Sequence, residues 1–371
     1  IWVYNDKGQG NGSLSQSVGT ELSVGGKTTL QADTGDINIV GSKVVSQDDL
    51  RMTAGKDINI QSAQSGQSQS ESQKSKGWGS AQISDTERFD GYMANQNKTN
   101  SENITQERSQ VGSLDGNVTL NAGNNYNQKV ADVVAGKDLN ITAKSINILD
   151  DHNIGSDSQS SKDLKIGLFS RVSSPLIDLV NAVDKAGKSK ADDRTQALQG
   201  VAAVAQGYQT YSDIQGGALF KAETGIGFST SKNNQDKSYS ASQSNLLNAG
   251  GNINLTSTEG DIHLKNTQVK AKDTISLDSA KDIFLESGQS QQKADGKNSN
   301  AGASYGVGVS VGAQTGAYVF VEAGYGKGSN HLDGTVHENT TLNSDSLSIK
   351  SKGDTTLKGA QATANRIDAD V

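Results

Sequence analysis

One short phrase recurs along the chain: a turn residue, often Gly with Asp or Lys, followed by an apolar-polar-apolar triplet. It reads Gly-Lys-Asp-Ile-Asn-Ile at 55 to 60, Gly-Asn-Ile-Asn-Leu at 251 to 255 and Gly-Asp-Ile-His-Leu at 260 to 264. From Leu30 to Met52 the last apolar residue returns after 22 residues, and from Ile39 to Ile60 after 21. Repeats of roughly 20 to 50 residues are typical of solenoids, so the spacing indicates a coil of 21 or 22 residues.

This pattern predicts an all-β fold, a parallel β-helix (β-solenoid) in which each triplet belongs to a strand. Successive side chains of a strand point to opposite faces, so we expect Ile37 and Ile39 to point inward and Asn38 outward. The outward position repeatedly carries asparagine, which predicts amide ladders involving Asn38, Asn59, Asn140, Asn147 and Asn254. The single proline, Pro175, fits such a fold, because proline is excluded from the middle of sheets.

The repeats lie in four blocks of one continuous solenoid fragment, 1–371, separated by three insertions with Ser/Gln/Asn-rich flanks. We expect coil blocks at about 14–62, 113–150, 246–287 and 342–371. We expect long β-hairpin extrusions at about 63–112, 151–245 and 288–341, with low-complexity disorder as the alternative for their flanks. The second extrusion has a predicted helical hairpin at about 175–206, because Pro175 fits a first helical position and Leu176, Leu179 and Val183 share a face.

The third insertion contains strict alternation on both sides of Gln314-Thr315-Gly316. Pairing across that turn puts Tyr305 opposite Tyr325 and Val309 opposite Val321, and it makes one face wholly apolar or aromatic. That face is a candidate membrane- or partner-facing surface, made of Tyr305, Val307, Val309, Val311, Val319, Val321 and Tyr325. An isolated hairpin is marginal in water. We therefore expect a neighbouring insertion, the solenoid flank, a partner protein or a bilayer to cover it.

Composition argues against several functions. The net charge of -7 predicts no footprint for nucleic acid or anionic lipid, and the absence of cysteine excludes disulfides and thiolate metal sites. No run of 18 apolar residues occurs, and Ile1 opens directly into polar sequence, so we expect an internal fragment of a longer protein. Outward positions are mostly Asn, Thr and Ser, which disfavours a polysaccharide-active β-helix enzyme.

Few residues suggest a site, and we expect no catalysis, cofactor or metal. His263 occupies an outward strand position, while His331 and His337 with Asp333 or Glu338 form a candidate metal clip where polar residues are expected anyway. The corner aspartates suit turns, with calcium binding as the alternative. They are Asp36, Asp57, Asp138, Asp261, Asp273 and Asp282.

The recurring phrases, the coil of about 21 residues and the Ser/Gln-rich insertions resemble filamentous hemagglutinin repeats of two-partner-secreted bacterial exoproteins. The alternation of repeat blocks with long insertions is most similar to the second hemagglutinin-repeat region of contact-dependent growth inhibition effectors. The resemblance implies a right-handed β-helix that is secreted to the surface of a Gram-negative bacterium.

The resemblance also implies partners and a function. The partners are the outer-membrane secretion barrel of the producing cell, the target-cell outer membrane or its proteins, the rest of the filament and a C-terminal toxin. The implied function is a non-catalytic filament module that engages the target-cell outer membrane and assists toxin delivery. The alternative is a structural adhesin filament that binds host or neighbouring cells.

Overall fold

The computed structural model describes residues 4–173, 218–312 and 315–371, and the chain over these ranges is built of strands joined by short turns. None of the described residues lies in a helix. The predicted helical hairpin at about 175–206 falls outside the described residues. The strands form four sheets, three parallel and one antiparallel.

The three parallel sheets are the sides of the solenoid, and each coil contributes one strand to each. The first is β2 (Glu21–Val24), β5 (Lys43–Ser46), β10 (Ser109–Ser113), β13 (Ala131–Ala135), β18 (Asn245–Ala249), β21 (Thr267–Ala271), β26 (Thr340–Asn343) and β29 (Ala360–Thr363). The second is β3 (Thr28–Ala32), β6 (Leu50–Ala54), β11 (Val118–Ala122), β14 (Leu139–Ala143), β19 (Ile253–Ser257), β22 (Thr274–Ser279), β27 (Ser346–Ser351) and β30 (Arg366–Asp370). The third is β4 (Ile37–Val40), β7 (Ile58–Gln61), β12 (Asn125–Lys129), β15 (Ser145–Leu149), β20 (Ile262–Lys265), β23 (Ile283–Glu286) and β28 (Thr355–Lys358).

The stacking of the coils confirms the predicted β-solenoid and its period. Leu30 lies opposite Met52 on the neighbouring coil, and Ile39 lies opposite Ile60. The inward residues of successive coils therefore form continuous apolar stacks, since each coil buries its inward residues against its neighbours. In the second sheet this stack contains Met52, Leu120, Ile141, Leu255 and Leu277, all completely buried.

The outward asparagines form the predicted amide ladders. Asn59 donates from Nδ2 to Oδ1 of Asn38 at 2.8 Å, and Asn127 donates in the same way to Asn59 at 2.8 Å. Asn254 donates to Asn140 at 2.8 Å on the second sheet. These bonds run parallel to the backbone ladder, so each coil is joined to the next by side chains as well as by main chain.

The N-terminal strand and the three insertions form the fourth sheet, which we call the lateral sheet. Its strands are β1 (Tyr4–Ser15), β8 (Ala63–Ser84), β9 (Glu87–Glu107), β16 (Asp151–Ser173), β17 (Ala218–Gln243), β24 (Gly288–Gly312) and β25 (Gly316–Glu338), in that order across the sheet. All neighbours are antiparallel. A strand of 23 residues such as β16 spans about 75 Å at 3.3 Å per residue, so the sheet extends far beyond the solenoid.

All three insertions leave the solenoid at one corner, between the third and the first parallel sheet. β7, β15 and β23 are each followed after one residue by a long strand, and β9, β17 and β25 each return into the first sheet. The intervening coils instead turn this corner with a residue at positive φ: Gly41, Val130, Asn266 or Gly359. Every second coil therefore extrudes a hairpin.

This alternation explains why the hairpins join into one sheet. Two coils advance the solenoid by about 9.6 Å, and the two strands of one hairpin also occupy about 9.6 Å at the usual strand spacing. Each hairpin thus reaches its neighbour with the right separation for backbone hydrogen bonding. Neighbouring hairpins thus pair along their edge strands. This pairing does not cover either of the two broad faces of the sheet.

Candidate functional site

One face of the lateral sheet carries most of the exposed large apolar side chains of the described residues. Directly opposed residues of an antiparallel sheet point to the same face, so the register defines rows of side chains across the strands. One such row contains Leu168, Ile226, Tyr305 and Val321. We call this side the apolar face.

The apolar face draws on all three insertions. Val321 is 80 % exposed and Tyr305 61 % exposed, so most of each side chain faces solvent. Other exposed large side chains on the apolar face are Trp78, Ile166, Val172, Phe220, Phe228, Val307, Val309, Val311, Val319 and Tyr325. The seven residues of the sequence-predicted surface therefore lie together on one face, joined by residues of the second insertion that sequence analysis did not assign to it.

The predicted register of the last hairpin was wrong. Tyr305 lies opposite Val321 rather than Tyr325, and Tyr325 lies opposite Ala301. The offset of four residues is even, so each side chain stays on its predicted face. In the observed register Tyr318 lies over Gly308 on β24 and donates from its hydroxyl to Oε1 of Glu223 on β17 at 2.7 Å.

The opposite side, which we call the polar face, holds an ionic cluster. Arg171 on β16 contacts Oε2 of Glu223 on β17 at 2.6 Å and Oε1 of Glu322 on β25 at 2.7 Å. Burial alone would raise the pKa of Glu223, but hydrogen bonds from Tyr318 and Arg171 outweigh it and hold that pKa below its ordinary value. Burial and the hydrogen bond to Glu223 raise the pKa of Tyr318 to about 12.

The lateral sheet is bent sharply toward its polar face. A Cβ added to Gly167 would lie 2.5 Å from the carbonyl oxygen of Asp90, and one added to Gly306 would lie 2.1 Å from that of Thr224. Glycine is therefore required where β9 meets β16 and where β17 meets β24. Bending also brings Arg171 to Glu322, although two strands separate them. The polar face thus encloses a trough of about 630 Å³, and the apolar face is its outer side.

A buried aromatic pair packs in the trough where β9 meets β16. The rings of Phe89 and Phe169 pack at 4.9 Å between centroids, and Phe89 is completely buried. A Cβ on Gly91 would lie 2.8 Å from the Phe89 ring. Sequence analysis did not identify this aromatic pair. The feature that could have indicated it is the Gly-x-Phe or Phe-x-Gly spacing in neighbouring insertions.

Several of the candidate metal ligands have structural partners. Asp36 and Asp138 accept the backbone N–H of the next coil, from Asp57 at 3.0 Å and Asn252 at 2.7 Å respectively. His263 contacts Glu286 at 2.8 Å, and His331 contacts Asp295 at 2.6 Å. Within 4–173, 218–312 and 315–371, no group of three or more His, Asp or Glu side chains is arranged to hold a metal ion.

The fold and its surface define a class: an extended β-solenoid whose alternate coils extrude hairpins into one amphipathic lateral sheet. No helix in the described part of the chain is long and apolar enough to cross a membrane. A family model described as hemagglutinin repeat matches residues 5–87, 91–213 and 226–371. The chain belongs to this hemagglutinin-repeat family, as the resemblance predicted.

The chain is also similar to several CdiA proteins. It is 33 % identical over 370 residues to a protein named Toxin CdiA from Yersinia pestis, covering 96 % of this chain and 11 % of that protein. It is 33 % identical over 365 residues to Deoxyribonuclease CdiA from Yersinia pseudotuberculosis serotype O:3 (strain YPIII), covering 92 % and 33 %. It is 32 % identical over 392 residues to tRNA nuclease CdiA from Escherichia coli (strain NC101), covering 97 % and 12 %.

The chain therefore spans between 11 % and 33 % of the length of these relatives. No solved structure matches it. Family and relatives together place the chain in a secreted cell-surface exoprotein of a Gram-negative bacterium, as a hemagglutinin-repeat filament module.

Proposed function

We propose that this module engages the outer membrane of a target cell through the apolar face and thereby assists toxin delivery in contact-dependent growth inhibition. The observation that carries the proposal is the continuous apolar surface built from three insertions. Monomeric soluble proteins rarely expose large contiguous apolar patches unless these bind a partner or a membrane. The candidate contact residues are Tyr305, Val307, Val309, Val311, Val319, Val321 and Tyr325.

The dimensions of the surface fit a bilayer. Along β24 the apolar face runs from Ala301 to Val311, which is 11 residues. A strand of about 9 to 11 residues crosses the hydrocarbon core when tilted. The side opposite the apolar face is polar, as in membrane-spanning strands, where lipid-facing and water-facing residues alternate.

The relatives' names support the delivery part of the proposal. They describe whole proteins as a toxin or a nuclease, while the matched region is a minor part of each. We place the toxin in a C-terminal segment elsewhere in the protein and assign no catalysis to this module. Its other proposed partners are the outer-membrane secretion pore of the producing cell and the rest of the filament.

Vesicle flotation tests the proposal. The wild type is compared with Val309→Asp/Val319→Asp on the apolar face and with Asn233→Asp/Gly324→Asp on the polar face, which adds the same charge. Folding is checked by circular dichroism. With outer-membrane vesicles and with liposomes, we expect wild type and control to float and to protect residues 302–327 from protease, and the apolar-face variant to do neither.

Two results would contradict membrane engagement: no protection in the wild type, or equal protection in the apolar-face variant. A structural adhesin filament is the second candidate, favoured by the amide ladders that reinforce the solenoid. Under that alternative the apolar face is a lateral strut, and substitution would unfold the hairpin locally without any vesicle-dependent signal.

A further inference from the structure

A row of lysines crosses the lateral sheet on the apolar face, on the solenoid side of the apolar surface. The register places one residue of each strand in this row, in the order Lys7, Lys74, Gln96, Lys162, Lys232, Ser299 and Lys327. We call this the lysine row. Five of its seven positions are lysine, and all five side chains are exposed.

The lysine row has no internal counter-charge. No ion pair joins any of its five lysines to an acidic group among the described residues, and Nζ of Lys327 lies 5.7 Å from the centroid of the Tyr325 ring. The two adjacent rows on the same face add Lys76, Lys98 and Lys297 and contain no Asp or Glu.

The arrangement is unfavourable for the free protein. Lys7 lies directly opposite Lys74, and Lys162 directly opposite Lys232. Like charges at directly opposed positions destabilise a sheet. Lysine often protects edge strands from aggregation, but β16 and β17 are central strands, so edge protection does not explain Lys162 and Lys232. An external anion would relieve the repulsion.

The lysine row lies directly beside the apolar surface. The row lies two residues from Leu164 on β16 and from Tyr325 on β25, which belong to the apolar surface, a separation of about 7 Å. Lysine can keep its methylene groups along apolar surface while its ammonium group stays in water. At one end of the row, Lys7, Lys74 and Lys162 line a groove of about 570 Å³ with Ala94 and Leu164.

We propose that the lysine row binds the phosphate-bearing headgroups of an anionic membrane surface and fixes how deeply the apolar face enters. This inference rests on the proposed membrane engagement and adds the lipid charge that the module requires. The chain's net charge of -7 predicted no footprint for anionic lipid. That prediction came from composition, which does not show that pairing collects eight lysines on one part of one face.

Vesicle charge tests the inference. Lys74→Gln/Lys162→Gln/Lys232→Gln is compared with Lys137→Gln/Lys281→Gln/Lys352→Gln, which removes three exposed solenoid lysines and so matches the change in net charge. Partitioning is measured by flotation on phosphatidylcholine vesicles with and without phosphatidylglycerol. Each lysine near an anionic surface changes partitioning about fivefold, so the lysine-row variant should bind anionic vesicles far more weakly than the control.

On phosphatidylcholine alone the two triple variants should behave alike, and in about 1 M salt the difference on anionic vesicles should disappear. Equal partitioning of both variants on anionic vesicles, while the wild type still protects residues 302–327, would overturn the lysine assignment and leave membrane engagement standing. Failure of the wild type to bind any vesicle would overturn both.

Discussion

At the residue scale, the contacts of Arg171 show how the lateral sheet keeps its bent form. Its guanidinium group joins strands of two insertions, through Glu223 on β17 and Glu322 on β25. Tyr318 completes the cluster through its hydrogen bond to Glu223. Charge-assisted hydrogen bonds of this kind are stronger than neutral ones, so the cluster is a specific tie between the last hairpin and its neighbour.

The cluster gives the sheet a pH dependence. The folded state holds the pKa of Glu223 below its ordinary value of 4.5, so this stabilisation is fully present above that value. It is lost as the pH falls through the lower folded-state pKa, because the protonated carboxyl no longer pairs with Arg171. Between neutral pH and about pH 3, the wild type should lose more stability than Glu223→Gln.

The measurement is the urea midpoint at each pH, followed by circular dichroism. Glu259→Gln is the matched control, since Glu259 is an exposed carboxylate on the solenoid whose partner is Lys144. The control should lose stability with falling pH as the wild type does. Identical pH profiles for all three proteins would show that Glu223 does not stabilise the fold in this way.

At the scale of elements, bending depends on glycine where neighbouring strands approach most closely. Gly91 and Gly167 face each other across β9 and β16, and Gly225 and Gly306 do so across β17 and β24. A side chain at any of these positions would meet the backbone of the next strand. The trough and the outward apolar face are therefore consequences of where glycine occurs.

Gly167→Ala should push β9 and β16 apart where they approach most closely. Its Cβ would lie 2.5 Å from the Asp90 carbonyl oxygen, while Gly324→Ala, also on the polar face, meets nothing within 4 Å. Overpacking of this kind costs about 1 to 3 kcal/mol. Amide hydrogen exchange should become faster in β9 and β16 for Gly167→Ala and stay unchanged for Gly324→Ala. Equal exchange in both variants would mean that the close approach of β9 and β16 tolerates a side chain at position 167.

The union of separate insertions into one sheet can be tested by disulfide trapping, because the chain has no native cysteine. Ile226 on β17 lies directly opposite Tyr305 on β24. Ile226→Cys/Tyr305→Cys should form an intramolecular disulfide under mild oxidation, and Ile226→Cys/Val309→Cys should not, because four residues of offset exceed the reach of the bond. Cross-linking only in the second variant would reveal a different register.

Sequence reasoning predicted the solenoid well and the lateral sheet only in part. The coil length follows from Leu30, Met52, Ile39 and Ile60, because stacked coils must repeat their inward residues. The partner of Tyr305 could not be found from the turn alone, since the observed register also carries a hydrogen bond from Tyr318 to Glu223, 95 residues earlier in the chain. The hairpins join because coils that turn the corner directly alternate with coils that extrude a hairpin. The local periodicity of the sequence does not reveal this alternation.

At the scale of the whole molecule, the solenoid orders the hairpins and the hairpins make the surface. Hairpins that leave every second coil are spaced for continuous pairing, so a filament of this kind carries a lateral sheet as wide as the solenoid is long. Its outer side is apolar, with lysines on the side nearest the solenoid. This division of polarity within one sheet is the central structural reason for proposing contact with a membrane.

An environment-sensitive fluorophore attached to single cysteines tests that proposal most directly. Tyr305→Cys and Val309→Cys report on the apolar face, and Ser304→Cys and Ser310→Cys report on the polar face of the same strand. On addition of outer-membrane vesicles, we predict increased, blue-shifted emission at 305 and 309 and unchanged emission at 304 and 310. Equal responses on both faces, or none at 305 and 309, would contradict membrane contact through the apolar face.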